Sequence, residues 1–158
     1  MRLSDNAQLN KIFHFQSERQ QYRAGAAIVQ CFDQRFQLVF AKYLKRAGIR
    51  NVDEIKVGGG AKALASPDSE RDREFLLDQV RKSIRLHQTE LVILTLHSDC
   101  GAYGGLAGAF NGDPVFEAVR QERELHCAAA CLKRAIPSVN VQGYFADFEG
   151  VYQVDLRA

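Results

Sequence analysis

An α/β fold, with a mostly parallel central sheet of four to five strands flanked by helices, is the architecture this sequence predicts. Short apolar, partly β-branched runs alternate with stretches whose apolar residues recur every three or four positions, the marks of strand and helix. The run Leu91-Val92-Ile93-Leu94-Thr95-Leu96 is apolar almost throughout, as befits a parallel strand covered on both faces. The connections between runs are long enough to hold a helix, which a parallel crossover needs. With 158 residues and 46% hydrophobic content, the chain suffices for one core, so a single domain over 1–158 is expected.

The opening segment to Arg23 is polar and reads as a helical extension, although Leu9, Ile12, Phe13 and Phe15 are only loosely periodic. Ala26 to Gln30 is the first strand. Phe36, Val39, Phe40, Tyr43 and Leu44 then mark a helix that Gly48 stops. Val52 to Val57 is the second strand and runs into Gly58-Gly59-Gly60. The next helix carries the stripe Leu76, Leu77, Val80 and Ile84, with Ser66 and Pro67 suited to its cap and first turn. Leu91 to Leu96 is the third and central strand. Asp113 and Pro114 open a long helix to about Ala135, with Val115, Phe116, Val119, Cys127, Ala130 and Cys131 near one face. Val139 to Phe145 is a fourth strand. Val151 to Leu156, whose side chains alternate, is an edge strand that returns antiparallel.

Several classes of function are excluded by composition. The formal charge is +2, from 21 Lys and Arg against 19 Asp and Glu, with no dense basic block, so nucleic acid is not the expected partner. Met1 to Gln21 has no apolar signal core, and no stretch approaches the roughly 18 apolar residues of a membrane helix. A soluble, cytoplasmic chain without a membrane partner is the expectation. In such a reducing compartment, four cysteines are better explained by metal binding or burial than by disulfides.

The chemistry concentrates at two strand ends. Cys31, Asp33 and Arg35 close the first strand; His97 and Cys100 close the third. Ligands in open α/β sheets collect at carboxyl ends of strands where strand order reverses, so these half-sites meet if the first and third strands are neighbours with the second beyond the first. Two thiolates and an imidazole with one open position is the pattern of a catalytic Zn2+ site, and sulfur ligands disfavour magnesium or calcium. Asp33, held by Arg35, stays ionised beside the metal. From there it either accepts a proton or fills the open position as a fourth ligand.

Taken together, Cys31-Phe32-Asp33-Gln34-Arg35 and His97-Ser98-Asp99-Cys100-Gly101 resemble the signature of the β-class carbonic anhydrases, Cys-x-Asp-x-Arg followed by His-x-x-Cys-Gly. The resemblance extends from about Ala24 to Asp147. It implies Cys31, His97 and Cys100 as zinc ligands, Asp33 and Arg35 as a catalytic dyad, and a mostly parallel sheet assembled as a homodimer or a multiple of dimers. The implied reaction is reversible hydration of carbon dioxide to bicarbonate by a zinc-bound hydroxide that the dyad orients. One departure bears on substrate: many family members have Arg-Asn-Ala-Gly after the second strand, where this chain has Gly58-Gly59-Gly60-Ala61-Lys62-Ala63. Outlying branches hydrolyse carbonyl sulfide or carbon disulfide, so these stay open as substrates. A non-catalytic zinc-binding module, closed by Asp33, is the competing class.

Other motifs read more simply. Gly58-x-Gly60-x-x-Ala63 fits a loose dinucleotide fingerprint, but the acidic residue that should end a following strand is missing, since Asp78 falls inside a predicted helix. The loop therefore reads as a turn lining the metal cleft, and no further cofactor site is expected. His126, Cys127 and Cys131 read as core packing. His14 and His87 have no evident partner and read as surface or capping residues. Tyr103 fits the cleft and the core equally.

Overall fold

In the computed structural model, which describes residues 9–157, five strands pair into one sheet. They are β1 (Ala26–Cys31), β2 (Val52–Val57), β3 (Leu91–His97), β4 (Asn140–Ala146) and β5 (Val151–Val154), in the order β2-β1-β3-β4-β5. The first four are parallel and β5 returns antiparallel on β4. Five helices connect them: α1 (Gln37–Arg46), α2 (Lys62–Ala65), α3 (Glu70–His87), α4 (Gly105–Ala109) and α5 (Pro114–Ala135). The predicted α/β class and the β2-β1-β3 neighbourhood are both observed.

Alternation along each strand sorts the side chains onto two faces. Val29, Val92, Leu94 and Leu96 join Leu76, Leu77 and Val80 of α3 and Leu125, Ala128 and Leu132 of α5 in one core. Ala26, Ile28, Ile93 and Tyr144 form the other with Phe36 and with Phe40 and Leu44 of α1. β1 is buried along its whole length, which is why it reads as a continuous apolar run. Asp113 caps α5 by accepting hydrogen bonds from the N–H groups of Val115 and Phe116, with Pro114 in the first turn.

Five expectations are corrected. Residues 9–23 contain no helix, and Met1 to Gln8 lie outside the described residues. With Leu9, Ile12, Phe13 and Phe15 all exposed, the segment has no apolar face to bury and nothing to stabilise a helix. The helix after the glycines begins at Glu70 with Ser69 as its cap, whereas Ser66 ends the short α2. Ser66 is drawn away from capping because its hydroxyl donates to Glu124.

In α5, Val115, Phe116 and Val119 face outward, and Glu117, Gln121 and Glu124 are buried instead. The first half of this helix meets the polar loop after β3, where Glu117 accepts from Ser98 and Asp99 and Glu124 accepts from Tyr103, while Gln121 between them is buried with neither amide atom hydrogen-bonded. Within the second half Cys131 is buried as expected, but Cys127 is exposed.

His87 has a partner after all. Asp53, near the start of β2, accepts hydrogen bonds from His87 Nδ1 at 2.8 Å, from the Ser83 hydroxyl at 2.6 Å and from the Tyr22 hydroxyl at 2.8 Å. The cluster ties the incoming chain to β2 and the end of α3. Burial works against the Asp53 carboxylate, yet the Ser83, His87 and Tyr22 donors outweigh it and hold its pKa below the usual value. A depressed folded-state pKa contributes stability that is present above the unfolded carboxylate's pKa and lost as pH falls through the folded one. Asp53→Ala is expected to cost about 1–3 kcal/mol, because Ser83 and Thr89 are left as buried, poorly satisfied hydroxyls. Thermal unfolding of the variant at neutral pH checks this, and an unchanged midpoint refutes it.

Candidate metal centre

The carboxyl ends of β1 and β3 lie side by side, and each ends in a ligand-bearing residue. Cys31 is the last residue of β1 and pairs with Val57 of β2; His97 is the last of β3 and pairs with Ala146 of β4. Cys100 follows in the turn. One donor atom from each of Cys31, His97 and Cys100 falls within 4.8 Å of the others, and all three residues are buried.

Local chemistry fixes both strand exits. After Cys31, the Asp33 side chain caps a 3-10 turn over Gln34–Phe36 by accepting the Arg35 N–H at 3.0 Å. The Gln37 amide reaches back to the carbonyls of Cys31 and Asp33 at 2.9 and 2.8 Å. After His97, the Ser98 N–H bonds the Ala146 carbonyl at 2.8 Å, and Asp99 turns the chain in the left-handed region at φ 54°. A short polar side chain tolerates that conformation, here because Asp99 Oδ1 accepts from the Leu106 N–H at 2.9 Å.

The imidazole is oriented for ligation. His97 Nδ1 sits 2.8 Å from the Ser98 carbonyl, which only accepts, so the proton of a neutral ring is on Nδ1 and the lone pair is on Nε2. Nε2 itself is buried without a hydrogen-bond partner. Phe36 stacks on the ring with centroids 4.4 Å apart and holds its plane. Beside it, the Cys31 thiol is pulled down to about 4: the Cys100 S–H donates to it, burial opposes, and the backbone N–H groups of Asp33 and Gly59 assist. The same contact pushes Cys100 up, so the pair shares one proton that a divalent ion would displace.

Asp33 stands outside the donor cluster. Its Oδ2 takes the Arg35 Nη2–H at 2.7 Å and its Oδ1 the Arg35 Nε–H at 3.1 Å, a two-pronged pair. That guanidinium holds the Asp33 pKa down to about 2. Arg35 also donates through Nη1 to Asp99 Oδ2 at 3.0 Å and through Nη2 to the Asp99 carbonyl at 3.1 Å. It therefore stitches the turn after β1 to the turn after β3. Phe148 flanks the guanidinium, its ring centroid 5.6 Å from Cζ.

The three glycines after β2 serve this centre. The Gly59 N–H points at Cys31 Sγ at 3.4 Å. Gly60, at φ 56°, passes so close to β1 and β3 that a Cβ there would meet the Thr95 carbonyl oxygen at 2.7 Å and the Cys31 nitrogen at 2.9 Å. The loop is spent on chain-to-chain approach beside the thiolate.

A family model described as "Putative carbonic anhydrase" matches residues 22–155. The chain belongs to that family. Its fold is that of β-class carbonic anhydrases of known structure. The carbonic anhydrase of Streptococcus mutans superposes with a TM-score of 0.55 at 18% identity, over 85% of this chain and 84% of that one. The β-carbonic anhydrase isoform I of Trichomonas vaginalis gives 0.57 at 12% identity, over 89% and 87%. The carbonic anhydrase of Glaciozyma antarctica gives 0.54 at 19%, over 85% and 84%. Among curated proteins, none matches the chain.

For a carbonic anhydrase, the ion to consider is zinc, and the donor set fits it: two sulfurs, one of them readily ionised, and an imidazole nitrogen without a partner. Sequence reasoning singled out Cys31, His97 and Cys100, which the fold gathers, and the neighbouring Asp33 and Arg35, but missed two residues that brace them. Asp99 was readable as the residue between His97 and Cys100, yet nothing local tells that it faces Arg35. Glu117 gave only one signal, an acid at a position where the helix period calls for an inward side chain.

Proposed function

We propose that this chain is a zinc-dependent carbonic anhydrase that interconverts carbon dioxide and bicarbonate. The observation that carries the reading is the buried meeting of Cys31, His97 and Cys100 next to an Asp33–Arg35 pair that is not among the donors. Three protein ligands and a carboxylate engaged elsewhere describe a site with a coordination position to spare, which favours catalysis over a closed structural module.

Zinc bound there supplies a Lewis acid that lowers the pKa of a coordinated water to about 7. Asp33, kept anionic by Arg35, accepts a hydrogen bond from the attacking water and turns the oxygen lone pair toward the carbon of the substrate. Arg35 keeps its own proton, since Asp33 and Asp99 both push its pKa above the ordinary value. The exposed rings of Phe32 and Phe148 give the approach an apolar rim suited to a small uncharged molecule. The departing proton goes to buffer. The glycine loop in place of the more usual segment keeps carbonyl sulfide and carbon disulfide as a second reading on the same site.

The outward apolar face of α5, with Val115, Phe116 and Val119 exposed, supports assembly with a second copy into a homodimer or a multiple of dimers. Among the described residues no helix is long and apolar enough to cross a membrane, and all four cysteines are free, in keeping with the cytoplasm as its place of work.

Metal analysis joined to stopped-flow hydration of carbon dioxide, with carbonyl sulfide and carbon disulfide run in parallel, tests the proposal. Stoichiometric zinc and rapid hydration are expected. A zinc-loaded chain inert toward all three substrates moves the reading to a binding module, and a chain that takes up no zinc refutes both.

A further inference from the structure

We propose that Glu117 is a positioning residue of the metal centre: from inside α5 it clamps the turn that carries His97 and Cys100, so that the imidazole keeps Nε2 aimed at the ion. This inference rests on the zinc reading above and extends it to a residue that touches none of the ligands.

The inward stripe of α5 changes character halfway along. Leu125, Ala128 and Leu132 make an ordinary apolar seam, whereas Glu124 beside it and Gln121 and Glu117, one and two turns before Leu125, are buried too. Packing alone would favour apolar side chains there, because a carboxylate removed from water costs several kcal/mol unless its oxygens are fully hydrogen-bonded. Glu117 has no exposed surface, and both its oxygens are engaged. The Ser98 hydroxyl donates to Oε2 at 2.5 Å and the Asp99 N–H to Oε1 at 2.7 Å. Both bonds are short, as charge-assisted bonds are.

The two donors are the whole of the turn between His97 and Cys100. Ser98 offers its carbonyl to His97 Nδ1 at 2.8 Å, and Asp99 turns the chain in the left-handed region with its Oδ1 on the Leu106 N–H. Glu117 grips the turn at both residues, while Ala146 takes the Ser98 N–H on the sheet side. If the grip is released, the Ser98 carbonyl is free to rotate, and the acceptor that keeps the imidazole proton on Nδ1 is lost. Groups that orient a metal-bound histidine in this way are worth about 10- to 100-fold in metal affinity.

The test uses the full chain and two variants. Glu117→Gln keeps the shape but removes the charge, so the Asp99 N–H bond weakens and the Ser98 hydroxyl must turn round to accept from the new amide; Ser98→Ala removes one of the two bonds with no change on α5. Zinc affinity is read by competition with a chromogenic chelator, and ligand geometry by the visible spectrum of the cobalt-substituted protein. Both variants are expected to bind zinc about 10- to 100-fold more weakly and to shift the cobalt bands. A role confined to packing lowers the melting temperature of the metal-free protein and leaves affinity and spectrum alone, and that result overturns the inference. Should Glu117→Gln fail to fold, Ser98→Ala decides by itself. A wild-type chain that binds no zinc brings down the underlying reading and this inference with it, whereas a zinc-binding wild type with indifferent variants removes the inference alone.

Discussion

Asp33→Ala and Arg35→Ala are each expected to retain zinc at wild-type stoichiometry and to lose about 100- to 10 000-fold in carbon dioxide hydration, the range for removing a positioned proton acceptor. The separation of the two effects follows from geometry. The donors that gather are Cys31, His97 and Cys100, while both Asp33 oxygens are turned onto Arg35. The two variants differ in pH behaviour. Arg35 is the main reason the Asp33 pKa is held down to about 2, so Arg35→Ala lets it climb back toward 3.8.

The sign for stability follows from the same shift. The pair's contribution is complete above the unfolded carboxylate's pKa and disappears as pH falls through about 2, so wild type holds its stability further into acid than Arg35→Ala does. Stopped-flow rates with parallel metal analysis decide the catalytic part, and acid unfolding followed by circular dichroism decides the rest. Undiminished turnover in both variants ends the dyad's role.

Gly60→Ala is expected to be strongly destabilising for the addition of a single methyl group. The added carbon meets the Thr95 carbonyl oxygen at 2.7 Å and the Cys31 nitrogen at 2.9 Å, both of them backbone atoms of paired strands that cannot step aside. The left-handed φ of 56° adds about 1–2 kcal/mol for a residue with a Cβ. A total near 3 kcal/mol lowers the melting temperature by roughly 6–12 °C for a chain of this size. Zinc affinity falls with it, because the strain is delivered to the residue that carries the thiolate. Gly58→Ala is the control: its Cβ would only touch the Phe32 ring at 3.4 and 3.5 Å, so it should melt close to wild type. Equal melting of the two variants contradicts the account.

The reach of sequence reasoning can be judged residue by residue. The run Leu91 to Leu96 announced its strand because burial on both faces leaves no place for polar side chains, and it is the central β3 with every residue after Leu91 buried. The α5 start was legible for a local reason too, since capping by Asp113 involves atoms two and three residues away. Where the reading failed, the partner was remote. His87 seemed alone because Asp53 lies 34 positions earlier, and Val115, Phe116 and Val119 seemed inward because apolar side chains suggest burial, whereas the inward side of that half of α5 meets a polar loop remote in sequence. The helix expected up to Arg23 rested on polarity with weak periodicity, and residues 9–21 stay exposed along their whole length, the chain first meeting the fold at Tyr22.

The division at the metal centre has the same cause. Residue types and short-range spacing, Cys31 with Asp33 and Arg35 and His97 with Cys100, already carried the donor chemistry and the family, because ligand identity and a turn's reach are properties of neighbouring residues. Only the folded sheet brought position 31 to positions 97 and 100, tied Arg35 across to Asp99, and set Glu117 beneath the turn. Those contacts depend on strand order and on how α5 lies against the sheet, and pairings across 64 and 18 residues leave no periodic trace in the chain itself.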